Sequence, residues 1–83
     1  MEIKELAIIA KRELEELTGF TSPNVIGIGR RGEIWYITIE ILEKPSEAAN
    51  LEILGVYEVR LDMSGGFLGY ERTKMRKRGD IHG

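Results

Sequence analysis

Five cations crowd into the seven residues from Arg72 to Arg78: Arg72, Lys74, Arg76, Lys77 and Arg78. Residues 1–71 hold seven Lys/Arg against thirteen Asp/Glu, a net of −6, while residues 72–83 carry a net of +4. A split of this kind steers and orients a charged partner. Catalysis asks for something else: a nucleophile with a base, an acid–base pair, or a metal. The single His is His82, next to last, where chain ends usually fray. Ser22, Ser46 and Ser64 have no His near them in sequence. Glu40, Glu43, Glu58 and Asp62 converge only if their strands are neighbours. In that case Glu40, Glu58 and Asp62 share a solvated face with Arg60. The chain has no Cys, which removes thiol nucleophiles, zinc–thiolate clusters and disulfides. These residues specify recognition: no enzyme, no cofactor and no metal site is expected.

One further pattern asks to be read as a site. Gly27, Gly29 and Gly32 have the spacing of a phosphate-binding loop. A dinucleotide fingerprint needs a helix after its last glycine. Here Arg30-Arg31-Gly32-Glu33 reads as a hairpin turn into another strand, so the glycines mark a bulge or a close sheet contact.

The elements that must carry these residues follow from hydrophobic period. Ile3, Leu6, Ala10, Leu14 and Leu17 recur every three or four residues, which predicts an amphipathic helix over 2–18. Ile8 and Ile9 widen its stripe, and Gly19 can take the left-handed conformation that ends it. In residues 33–43, Trp35, Ile37, Ile39 and Ile41 alternate with Tyr36, Thr38 and Glu40, a half-buried strand. Pro45 stops it, and residues 46–49 read as one helical turn or a loose loop. Residues 55–63 alternate again, with Tyr57, Val59 and Leu61 inward and Glu58, Arg60 and Asp62 outward. Ser64-Gly65-Gly66 makes a turn, and residues 67–74 return antiparallel. With residues 24–30 as the first strand, the chain is one helix followed by four strands. The fold expected is α+β: an N-terminal helix packed on a four-stranded antiparallel sheet spanning 24–74, then a basic tail over 72–83. The chain's 83 residues make one domain. No segment reaches the ~20 apolar residues of a membrane span, and no signal peptide is evident. A cytoplasmic protein is expected.

The order of residues along the second half resembles the gas vesicle protein O (GvpO) family. Trp35, Glu40, Glu43, Pro45, Leu54, Tyr57, Glu58, Val59, Leu61, Asp62, Gly65, Tyr70, Arg72, Arg78 and Gly79 fall in the family's order, over residues 19–79. Lys44 stands where the family has Arg, and Met75-Arg76 replaces an Arg-Tyr pair, which removes an aromatic from the basic end. The resemblance implies an accessory protein of gas vesicle formation, cytoplasmic or associated with the vesicle, whose partners are other gas vesicle proteins.

For the site, Arg72, Lys74, Arg76, Lys77 and Arg78 are expected to dock an acidic surface on such a partner. On the open face of the sheet, Tyr36, Val56, Glu58 and Phe67 form a second candidate surface; its apolar members suit a protein contact or a homo-oligomer. A nucleic-acid-associated regulator using the basic tail is one alternative. The −6 remainder argues against it, as does the lack of an aromatic inside the tail. A small ligand-binding domain with a cleft between helix and sheet is the other.

Overall fold

The computed structural model describes residues 2–44 and 52–77. Helix α1 runs Ile3–Thr18, followed by β1 (Thr21–Arg31), β2 (Ile34–Lys44), β3 (Ile53–Asp62) and β4 (Phe67–Lys77). The strands form one sheet in the order β1-β2-β3-β4, each pair antiparallel. This is the α+β arrangement that the hydrophobic periods predict. The expected helical turn after Pro45 lies outside the described residues.

Local chemistry sets the ends of α1. The Glu5 carboxylate accepts from the Glu2 N–H at 3.4 Å, satisfying one orphan donor at the N-terminus. At the other end Gly19 takes φ 74°, and its N–H reaches Glu15 O at 2.8 Å. The Thr18 hydroxyl donates to Leu14 O and accepts from the Phe20 N–H, which turns the chain into β1.

The helix buries Leu6, Ala10 and Leu14 completely, against Ile37, Ile39 and Ile41 of β2 and Tyr57, Val59 and Leu61 of β3. Alternation puts these sheet residues on one face, and the 3.6-residue period supplies the matching stripe. Trp35, Val25, Ile28, Phe20 and Ile9 border the core, half-buried. Two positions of the predicted apolar stripe fall outside the core, Leu17 against the expectation that it packs on the sheet. Ile3 is 56% exposed and Leu17 50%. Both lie at the extreme turns of α1, the first residue and the next to last, where the core residues of the central strands no longer cover the stripe.

Turn chemistry closes the hairpins. Gly32 has φ 61° between β1 and β2, so the glycine pattern is a hairpin and not a phosphate loop. Between β3 and β4, Asp62 Oδ1 accepts from the backbone N–H groups of Ser64 and Gly66, both at 2.8 Å. Gly65 there adopts φ 84°, the left-handed region that a side chain resists.

Two bulges in β4 decide which way its side chains face. Register breaks between Arg60 and Leu61 and between Val56 and Tyr57 insert Leu68 and Thr73 as extra residues. Phe67 is therefore opposite Leu61, on the helix side, and packs against the core. The expectation that it lies on the open face with Tyr36 and Val56 is corrected: a bulge resets the period of two. The Thr73 hydroxyl donates to Val56 O at 3.0 Å, taking up a carbonyl beside the interrupted ladder.

Candidate functional site

Within the basic segment, residues 72–77 belong to β4. Pairing with β3 continues to Ile53↔Lys77, so Arg72, Lys74 and Arg76 are strand residues. The sheet was expected to end at residue 74; it continues to Lys77. Two of these cations are committed within the fold. Arg72 grips Glu43 with two hydrogen bonds, Nε to Oε2 at 2.9 Å and an Nη to Oε1 at 2.7 Å. Arg76 Nε donates to Glu40 Oε2 at 2.7 Å.

Both pairs reach from β4 to β2, across the whole width of β3. Glycine makes the first crossing possible. Leu42 pairs with Leu54 and Lys44 with Ile53, which leaves Glu43 as the extra residue of a bulge. Its carboxylate lies over Gly55, where a Cβ would overlap it and come within 2.9 Å of the Tyr57 ring. A glycine inside a strand often marks such a close approach. The Tyr57 hydroxyl donates to Glu43 Oε2 at 2.7 Å, so one carboxylate is held by an Arg fork and a phenol. The Glu43 side chain is only 11% exposed.

This environment moves both acids. The Arg72 hydrogen bonds hold the Glu43 carboxyl below the usual carboxylate range, against the opposing effect of burial. Burial, followed by the bond to Glu43, pushes Tyr57 up to about 12. The two signs differ. A depressed carboxyl contributes stability that is complete above its unfolded value of 4.5 and is lost as pH falls through the lower folded value. A raised phenol contributes stability that is complete below 10.0 and is lost as pH climbs toward about 12. Glu43→Gln should therefore flatten the acid side of the wild-type stability profile, and Tyr57→Phe the alkaline side. Urea midpoints measured across pH check both.

The other candidate residues are placed as follows. Lys74 stands on the open face, exposed and without an ion pair among the described residues. Lys77 closes β4, and Arg78 lies outside the described residues. Tyr36 is half-buried with the Arg31 guanidinium 4.9 Å from its ring centroid. Glu58 is half-buried opposite Glu71, which has Arg60 at 4.0 Å. Val56 is 2% exposed, although α1 packs on the other face. It lies in register between Glu40 and Lys74, and long side chains on both flanks exclude water from a central-strand residue. The open-face apolar patch is thus not formed: Val56 is covered, Tyr36 is capped by Arg31, and Phe67 faces the helix.

The sequence reading missed the cluster of Glu43, Gly55 and Tyr57 with Arg72. A glycine within an alternating strand, beside a Glu at a strand end, was the available signal. Among the described residues no group of His, Asp or Glu has a metal-binding arrangement. The acids of the strands have separate tasks: Glu40 and Glu43 hold arginines, and Asp62 builds a turn.

Among the described residues, one helix on an antiparallel meander, with charges used to tie strand to strand, defines a small α+β fold. The chain belongs to the gas vesicle synthesis protein GvpO family, whose model matches residues 1–82. It is 34% identical to gas vesicle protein O of Streptomyces sp. (strain CB03234) over 67 residues, covering 81% of this chain and 52% of that protein. It is 28% identical to gas vesicle protein O of Haloferax mediterranei over 80 residues, covering 95% of this chain and 57% of the relative. Gas vesicle protein O1 of Halobacterium salinarum is 28% identical over 72 residues, covering 87% of this chain and 60% of the relative. The chain thus spans little more than half the length of the curated relatives it matches. No solved structure matches it. Among the described residues no helix is long and apolar enough to cross a membrane.

Proposed function

We propose that this chain is a non-enzymatic accessory protein of gas vesicle formation. It acts in the cytoplasm as an assembly factor or adaptor, through contacts with other gas vesicle proteins. The observation that carries this reading is membership of the gas vesicle synthesis family over residues 1–82. The architecture supports it: the ionisable side chains that chemistry would need are used in cross-strand pairs and turns. What remains outward on the described part of β4 is strand backbone, apolar side chains, Glu71 and a majority of cations.

The test is genetic. Removing the chain from a functioning gas vesicle gene cluster should abolish or deform the vesicles, seen as lost buoyancy and lost light scattering. Re-expression should restore them. Replacing Lys74, Lys77 and Arg78 together with Gln should lower recovery of purified gas vesicle proteins in a pull-down and flatten its salt dependence, with an unchanged circular dichroism spectrum. Arg72 and Arg76 are left in place because the fold uses them. Recovery equal to wild type at low salt would leave these cations without a docking role.

A further inference from the structure

We infer that the β4 edge accepts an extended acidic segment of a partner protein as a fifth strand. This deepens the adaptor reading and rests on it for the partner's identity as a protein. β4 pairs with β3 on one side only, so its outward N–H and C=O groups are unpaired within the sheet. An extended chain can satisfy such groups by strand addition.

Side chains along the same edge say what kind of chain fits. Leu68, Tyr70 and Met75 are 51%, 38% and 55% exposed. Tyr70 and Met75 stand opposite Val59 and Gly55, on the helix side of the sheet. Tyr70 stacks obliquely on Tyr57 and Phe67, at 6.0 and 6.3 Å between centroids, which gives that side a fixed apolar wall. On the opposite side of the strand, Lys74 is exposed and unpaired among the described residues, and the Arg76 side chain is still 53% exposed beyond its bond to Glu40; the one acid on that side, Glu71, lies 4.0 Å from Arg60. A strand that alternates apolar residues with Asp or Glu presents its apolar set to Tyr70 and Met75 and its acids to Lys74 and Arg76.

Two competing arrangements are disfavoured by what the edges carry. β1, the other edge, contains Pro23, which has no N–H to offer. It also has Ser22 at φ 57°. A second copy pairing β4 with β4 would offer only Glu71 as an acid against Arg72, Lys74, Arg76 and Lys77, so fewer cations find a complement than on an acidic strand. The bulge at Thr73 limits regular pairing to Tyr70–Arg72 and Lys74–Lys77, so the added segment is short.

The experiment uses the full chain, isotope-labelled, and an N-acetylated peptide of alternating Glu and Val as probe. Amide resonances of residues 70–77 should shift, and alternate amides there should exchange more slowly with solvent. The K74E variant should bind on the order of tenfold more weakly, since a rim charge is reversed beside an acidic strand. Circular dichroism controls for folding of the variant. A peptide of alternating Lys and Val should not bind, nor should the Glu–Val peptide with alternate backbone nitrogens methylated. Shifts confined to α1 or β1, equal binding of the basic or methylated peptide, or no binding at all would overturn the proposal. The outcomes separate from those of the functional reading. Vesicles lost on deletion but normal with K74E, together with a silent peptide titration, sink the edge alone. Vesicles intact after deletion sink the functional reading, and the titration still decides the edge.

Discussion

Leu14→Ala is expected to lower the free energy of unfolding by about 3 kcal/mol, within the range for emptying a fully buried Leu site. Leu14 is 0% exposed and sits among the helix and sheet residues of the core. Urea unfolding followed by circular dichroism and by Trp35 fluorescence measures it. Domain stabilities run from about 5 kcal/mol upward, and small chains lie near the lower end, so the variant retains a minority of its stability. Leu17→Ala supplies the contrast. Its side chain is half exposed, so the loss should stay under about 1 kcal/mol. Equal losses at the two positions would mean that α1 docks in a different rotation from the one described.

Gly55→Ala is the second substitution with a large expected effect, about 1 to 3 kcal/mol from overpacking. The added methyl competes with the Glu43 carboxylate for one space and presses on the Tyr57 ring. The carboxylate is the movable party, so it should leave, and the Tyr57 hydroxyl should lose its acceptor. A double-mutant cycle reads this directly. In a Glu43→Ala background Gly55→Ala should cost much less, because the space is already free, and residues in contact couple by such amounts. Additive losses would show that the glycine is needed for backbone reasons alone. An independent readout is the alkaline titration of Tyr57, raised to about 12 with Glu43 in place. It should move back toward the ordinary phenol range in either single variant.

These expectations also show where sequence was readable. The order of one helix and four strands, the inward positions of β2 and β3, and both hairpin turns follow from periodicity and from glycine and aspartate chemistry. Periodicity gives the angle of a side chain around a helix but not the length of sheet beneath it, so Ile3 and Leu17 lie on the predicted stripe yet outside the core. A period of two says nothing of bulges, and the extra residue at Leu68 turned Phe67 from the open face to the helix side. The cationic run concealed a continuing strand. Its members alternate between faces, with Arg72 on the helix side and Arg76 on the other. The partners that hold them lie two strands away, at Glu43 and Glu40. No local pattern reports a contact made across a third strand, although the glycine that permits it was in view at position 55.

The position of α1 ahead of every strand has a consequence during synthesis. The ribosome completes the Leu6–Ala10–Leu14 stripe before any of the sheet that covers it exists, and its partners Val59 and Leu61 come late in the chain. A helix of 16 residues is only marginally stable alone in water. The helix, made before the strands, is therefore among the last of these elements to settle. Until the second hairpin has left the exit tunnel, it travels as an uncovered apolar sequence within reach of nascent-chain chaperones.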